Sequence, residues 1–418
     1  MKTVLQNLAS VVGGEAAVRV ANFAAVLVIA RAYGKVALGA YAVSLAVVTV
    51  VVMFSDSGLQ TAAITQITPS GSNRNQIVGQ FTISKSILLA LAAVLLLVIA
   101  VWSGQTSFFL TIGFWVTLRA LLQSFSQLQM SVLKSVSLAK WIGIIQLIHG
   151  AFLLIGIALA FRTTWSFVAL LVWMTACQLL EVFLGALVLS RSGIWPAWPR
   201  QLDFLSLVRM ASPFGIAYGL ANLIVRSDTI VLSTLAPLEE LGAFSAVNAI
   251  LLIVYVCGWL FSSVLLPGMT RASARPETLK AYANQWARLL LFFTVPCAVL
   301  VSLVAPRAVV LLYGSAFGSS GLFGSVMALA CPLILMNSVY TTLTIAAGQR
   351  GVLVGIFCAG AVATVALDFL LGRAFGALGV CIAIVIREAG MLLGFLLAAS
   401  RFVLPVASVE IPVSPGGN

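Results

Sequence analysis

Three polar side chains recur on one face of a segment otherwise fit to cross a membrane. Glu15, Arg19 and Asn22 stand at i, i+4 and i+7 within "VVGGEAAVRVANFAAVLVIARAYG", residues 11–34. A helix places all three in one stripe, and Glu15 precedes Arg19 in the order that favours an ion pair along the helix. Arg19 lies about 10 residues from either end of the span, roughly 15 Å at the helical rise. That is too deep for the snorkelling that serves helix ends. A charge at such depth costs about 2.5–3.5 kcal/mol on insertion scales, so it must face protein or water. A guanidinium held there suits an anion, because its planar fork binds oxyanions bidentately and never loses its proton.

Two further stripes repeat the design. Gly215, Gly219, Asn222, Arg226, Thr229 and Ser233 follow steps of four and three, and Pro213 permits a bend near their start. Arg119, Gln123, Ser126, Gln127 and Met130 make another polar face. Asp228, two residues past Arg226, points the other way and is not expected to pair with it.

The elements that must position these residues are apolar helices. Of 418 residues, 61% are hydrophobic and only 8% charged, against about 25% charged in a soluble domain. The chain is therefore read as an all-α polytopic membrane protein. Spans are expected near 4–30, 38–66, 77–101, 108–130, 141–161, 166–190, 205–233, 241–268, 286–306, 321–345, 352–371 and 376–400, about twelve helices. The first reads as a retained helix, since Glu15 and Arg19 break the core of any cleavable signal. The 23 Lys and Arg sort by depth. Arg19, Lys85, Arg119, Arg226 and Arg387 fall inside spans, and Arg31, Lys35, Arg162, Arg307 and Arg373 on one side. The remaining thirteen share the side of the N-terminus, which places both termini in the cytoplasm. The net charge of +12 thus belongs largely to loops beside a bilayer and implies no nucleic acid.

"KVALGAYAVSLAVV" (35–48) aligns with "LEELGAFSAVNAIL" (238–251) at an offset of 203 residues. An offset of six helices preserves orientation, so it implies two parallel six-helix bundles, 1–195 and 196–404, followed by a short cytoplasmic tail, 405–418. Cys177, Cys257, Cys297, Cys331, Cys358 and Cys381 have no C-x-x-C spacing and are expected as small buried hydrophobes, without disulfide or metal. No phosphate-binding G-x-x-x-x-G-K-[ST] loop is present, there is one histidine, and no outer loop is large enough for a catalytic domain. No enzyme and no cofactor are expected.

"IARAYGKVALGAYAVSLAVV" and "SDSGLQTAAI", followed in order by "SPFGIAYGLANLIVRSDTIVLSTL", "LEELGAFSAVNAI", "VAPRAVVLLYGSAFGSSG", "AAGQRG" and "FGALGVCIAIVIRE", resemble the polysaccharide (Wzx, O-antigen-type) flippases. These belong to the multidrug/oligosaccharidyl-lipid/polysaccharide exporter superfamily. The resemblance implies two bundles around a central cavity with alternating access. It implies a polyprenyl-pyrophosphate-linked oligosaccharide as substrate, moved from the cytoplasmic to the outer leaflet of a bacterial inner membrane. Twelve rather than fourteen helices favour the O-antigen or exopolysaccharide branch over the lipid II branch. Partners would be the lipid bilayer and other polysaccharide-assembly membrane proteins. The competing reading is a cation-coupled multidrug or small-molecule exporter of the same superfamily, for which acidic, aromatic-lined sites would be expected.

On this reading Glu15, Arg19, Asn22, Arg119, Gln123, Asn222 and Arg226 are candidates for contact with the pyrophosphate or sugars. Asp56, Lys85, Glu181, Asp228, Arg387 and Glu388 are candidates for gating or ion coupling. Lys85 and Glu181 are expected to be partly solvated, Asp368 to be an interfacial anchor, and His149 to be a hydrogen-bonded packing residue.

Overall fold

The computed structural model describes residues 2–56, 58–67, 73–102, 109–199, 204–273 and 275–401; the side chains of 2–9, 54–56, 61, 109–110, 210–218, 276, 350 and 401 are not described. The proposed tail and the Asp56 side chain therefore lie outside the described residues.

Helices make up nearly all of what is described. They are α1 (Lys2–Val28), α2 (Gly34–Asp56), α3 (Leu59–Ile67), α4 (Arg74–Trp102), α5 (Phe114–Ser135), α6 (Ala139–Thr163), α7 (Phe167–Arg191), α8 (Phe204–Leu235), α9 (Leu238–Ala272), α10 (Pro276–Tyr313), α11 (Ser320–Ala328), α12 (Ala330–Ala346) and α13 (Arg350–Arg401). Each expected span falls on one or more of these. The span expected at 38–66 is interrupted between α2 and α3, whereas α11 and α12 together fill the one expected at 321–345.

Among the described residues, eight stretches are long and apolar enough to cross a membrane. Two of these, Ser10–Met53 with 44 residues and Gly351–Ser400 with 50, are twice the length of one crossing. Each doubles back. The first does so at Gly34, where φ is +81° and ψ is −177°, just past a wide helical turn at Ile29–Tyr33. The second breaks at Gly376, where φ is +60° and ψ is −140°, a conformation that a residue with a Cβ resists. The Glu240 side chain accepts a 2.7 Å bond from the amide of Ala377 there, satisfying an open donor at the start of the second arm of α13. α5 is absent from the apolar set because one of its faces carries Arg119, Gln123, Ser126 and Gln127.

α2 and α9 meet through the two copies of the aligned motif. A Cβ on Gly39 would stand 2.1 Å from the Leu238 carbonyl oxygen, and one on Gly242 would stand 1.9 Å from that of Lys35. The contact is reciprocal at the offset of the alignment: residue 35 corresponds to 238, and 39 to 242. Lys35 also pairs with Glu239 at 3.5 Å. At this end a single apolar core runs from Ala25 and Tyr41 through Met174 to Phe244, Tyr313 and Ile384. At the other end the core divides. One part joins Leu59, Phe81, Leu133, Ile142 and Leu189; the other joins Met269, Ala283, Leu343 and Phe395.

The cysteines differ from expectation. Cys177 and Cys381 are buried, but Cys257, Cys297 and Cys358 are exposed and Cys331 is intermediate. In a bilayer the outer face is apolar, so a small thiol is accommodated there as readily as in the core.

Candidate functional site

The first polar group lines α1, α2 and α5. Glu15 and Arg19 pair at 3.5 Å, one turn apart as their spacing requires, with side chains 33% and 46% exposed. Asn22, one turn further, is engaged twice. Its amide donates to the Val18 carbonyl at 2.9 Å, and its oxygen accepts from the Arg119 guanidinium. Arg119 also donates to the Tyr41 hydroxyl at 3.0 Å. The structure thus brings Arg19, Asn22 and Arg119 into one wall, with Arg119 anchored by neutral groups that leave its charge uncancelled. Arg19 keeps the freer head, since its one carboxylate contact is long and open. Gln123 is exposed on the same helix as Arg119. Gln127 turns instead to Gln60 of α3, which donates to it at 2.8 Å.

Asn222 and Arg226 are half-buried on α8, and each is engaged in an interaction of its own. The α8 stripe continues through Gly219, beside the Met53 side chain. Pro213 and Gly215 of that stripe lie where side chains are not described.

The second group lies among α5, α6 and α7. Glu181 is only 8% exposed. It accepts from Ser126 Oγ at 2.7 Å, from Gln178 Nε2 at 2.9 Å, and from His149 Nδ1. Lys85, on α4, is wholly buried at 0% exposure. Both residues were expected to be partly solvated, and neither is. Their depth along the sequence placed them near a membrane face, but neighbouring helices cover them. His149 is hydrogen-bonded as expected, and its partner is the Glu181 carboxyl.

The third group joins α8, α9, α12 and both arms of α13. Arg387 donates through Nη1 to Asp228 at 2.7 Å and to the Ile224 carbonyl at 3.3 Å. Through Nη2 it donates to the Tyr255 hydroxyl at 2.8 Å, and the same nitrogen stands 3.2 Å from Glu388. Tyr255 passes its own proton to Glu388 at 2.8 Å, and Asn337 donates to the other carboxylate oxygen at 2.8 Å. Asp228, Arg387 and Glu388, proposed from sequence as separate charges, are one network. Adjacent on the chain, Arg387 and Glu388 still meet because the long guanidinium stem curls back.

Asp368 belongs here too. It is 0% exposed and faces the Asp228 carboxyl, so it is not an interfacial anchor. The fold at Gly376 is the reason. Asp368 lies eight residues before the break and Arg387 eleven after it, about 12 and 16 Å at the helical rise, so antiparallel arms bring them to similar depth. Neither oxygen of Asp368 meets a donor among the described residues. Tyr255, Asn337 and Gln178 were not singled out, since isolated neutral polar residues in a long apolar helix carry no distinguishing signal. No group of His, Cys, Asp and Glu among the described residues has the arrangement of a metal site.

Charged side chains held inside helices that are long and apolar enough to cross a membrane define, among the described residues, a polytopic helical membrane protein. The family of polysaccharide biosynthesis proteins matches residues 4–273, most of the chain, and the chain belongs to that family. No curated protein sequence matches it. Among solved structures it is similar to the lipid II flippase MurJ in an inward closed conformation, with a TM-score of 0.75 at 15% identity, covering 95% of this chain and 87% of that one. It is also similar to a multidrug resistance MATE family transporter of the MOP superfamily. The inward-facing form gives a TM-score of 0.73 at 14% identity, covering 92% of this chain and 96% of that one. The outward-facing form gives 0.63 at 13% identity, covering 96% and 95%. The fold is that of MOP-superfamily transporters.

Proposed function

We propose that this protein is a flippase. It carries a polyprenyl-pyrophosphate-linked oligosaccharide from the cytoplasmic to the outer leaflet of a bacterial inner membrane, with both termini cytoplasmic. Two bundles, 1–195 and 196–404, alternate access to a cavity between them, and the reciprocal Gly39–Gly242 contact supports that two-fold arrangement. The observation that carries the substrate reading is the arginine wall. Arg119 is fixed by Asn22 and Tyr41, and Arg19 extends beside it with only a long, exposed carboxylate contact.

Pyrophosphate offers dense negative charge and many acceptor oxygens. Arg19 and Arg226 are its principal contacts, with Arg119 beside Arg19; Gln123 and Asn222 meet sugar hydroxyls. Glu15 holds the Arg19 head until the phosphates compete for it. The prenyl tail stays in lipid while the polar head crosses inside the protein. An interior-negative potential favours outward movement by about 2.3 kcal/mol per charge per 100 mV. Asp228, Arg387 and Glu388 serve coupling or gating as one network, with Asp56 and Lys85 as further gating candidates. The O-antigen or exopolysaccharide class of glycan fits the family, and neighbouring polysaccharide-assembly proteins would supply and consume it.

A cation-coupled small-molecule exporter is the second reading, favoured by one observation, the buried Asp368 carboxyl facing that of Asp228. Mass spectrometry of lipids that co-purify with the protein separates the two. A bound polyprenyl-pyrophosphate glycan is the expected result. A preparation free of such lipids, with saturable binding of small organic cations, would overturn the flippase reading.

A further inference from the structure

His149 is the only histidine in the chain, and it is 1% exposed in the middle of α6. Its partner, Glu181, receives donors from Ser126, Gln178 and the imidazole Nδ1. With Ser126 and Gln178 already donating to it, the Glu181 carboxyl is read as the acceptor toward the imidazole, which puts a hydrogen on Nδ1 of His149. The other ring nitrogen, Nε2, is buried and meets no partner among the described residues. That leaves one open position. With Nε2 bare, the site holds a single negative charge inside the bilayer. With a proton on Nε2, imidazolium and carboxylate cancel, and the ring gains a donor that the closed packing does not receive. Neither state is fully satisfied in this packing, which is the condition for a site that changes protonation as its surroundings rearrange.

The surroundings identify what would move. The charged and titratable groups on elements packed against α6 are Glu15 and Arg19 on α1, Arg119 and Lys134 on α5, and Cys177, Glu181 and Arg191 on α7. Only Glu181 bonds the imidazole. Arg119 is within electrostatic reach of Cys177, one turn before Glu181. Gly150, next to His149, packs against Ala17 of α1, between Glu15 and Arg19. The cluster therefore ties together the three helices behind the arginine wall. A change of one charge at His149 acts on the packing that positions both Arg19 and Arg119.

We propose that His149 and Glu181 form a proton-binding site, loaded from water at His149 Nε2 when α5–α7 rearrange, that couples protonation to the conformation of the α1–α5 arginine wall. The proposal rests on the transporter fold and is independent of which anion the wall binds.

The single histidine permits a direct test. Full-length protein labelled with 15N-histidine and reconstituted in lipid nanodiscs gives one pair of ring nitrogen signals. The expected result is a reversible change of the Nε2 signal between about pH 5 and 8.5, while Nδ1 stays bonded. In Glu181→Gln, which removes the carboxylate that accepts from the ring, the Nδ1 signal is expected to leave its carboxylate-bonded position. A single protonation state across the range overturns the proposal. Should Glu181→Gln fail to fold, the wild-type titration alone decides whether the site binds a proton. Hydrogen exchange of α5–α7 at pH 6 and pH 8, corrected for intrinsic rates, reads the coupling. The wild type should differ between the two conditions and His149→Gln should not. Equal exchange in the wild type overturns the coupling even where the imidazole titrates.

Discussion

The two buried ion clusters are built on opposite principles. The cluster on α8, α9, α12 and α13 is organised around Arg387, a cation that keeps its proton under all physiological conditions. Its four donor contacts reach Asp228, the Ile224 carbonyl, Tyr255 and Glu388, so it pins the second arm of α13 to α8 and α9. The cluster on α5, α6 and α7 has no permanent cation. Its one basic partner is the His149 imidazole, a group that has both a neutral and a charged form. The first is a fixed clamp and the second is adjustable. The difference teaches that similar burial of charge in one transporter serves two ends: holding helices together, and letting their relation change.

The largest effect that could break this comparison is at Arg387. Arg387→Met leaves Asp228 and Glu388 buried without a counter-charge, and thermal unfolding in detergent should show a loss of about 3–5 kcal/mol. A variant as stable as the wild type would remove the clamp from the account. Adding Asp228→Asn should restore part of the loss, because the uncompensated charge goes with it. Glu181→Gln should cost about 1–3 kcal/mol by the same measurement, since an amide cannot satisfy three donors. A loss equal to that of Arg387→Met would erase the distinction between clamp and adjustable site. Gly39→Val and Gly242→Val should each cost a similar 1–3 kcal/mol, roughly the penalty of overpacking. The double variant should lose less than their sum, because one shared contact is opened. At the small end, Glu15→Gln should alter stability by less than about 0.5 kcal/mol, as exposed helical pairs do. Its signature would be in transport, not in unfolding.

Much of this was legible in the sequence. Apolar runs located the helices, because a bilayer demands about 20 apolar residues wherever the chain crosses. The alignment of Leu38-Gly39-Ala40-Tyr41 with Leu241-Gly242-Ala243-Phe244 anticipated a structural relation, and the two motifs turn out to pack on each other. Helical spacing foretold the Glu15–Arg19 pair. What spacing cannot give is which helix stands next to which. Arg387 and Asp228 are 159 residues apart, and only the turn at Gly376 and the contact of α13 with α8 unite them. Asp368 was misread for the same reason: distance from a span end along one helix says nothing of what covers it. Asn22 was placed on the right face, but its bond to Arg119 depends on α1 lying beside α5.

The central claim is that arginines inside the membrane carry the pyrophosphate. Its most direct measurement is flipping of a polyprenyl-pyrophosphate-linked glycan in proteoliposomes, with wild type compared to the Arg19→Ala, Arg226→Ala double variant after confirming equal insertion. The account predicts at least a tenfold loss, about 1.4 kcal/mol or more, and partial recovery when both positions carry Lys. Full flipping activity in a correctly inserted double alanine variant would contradict it.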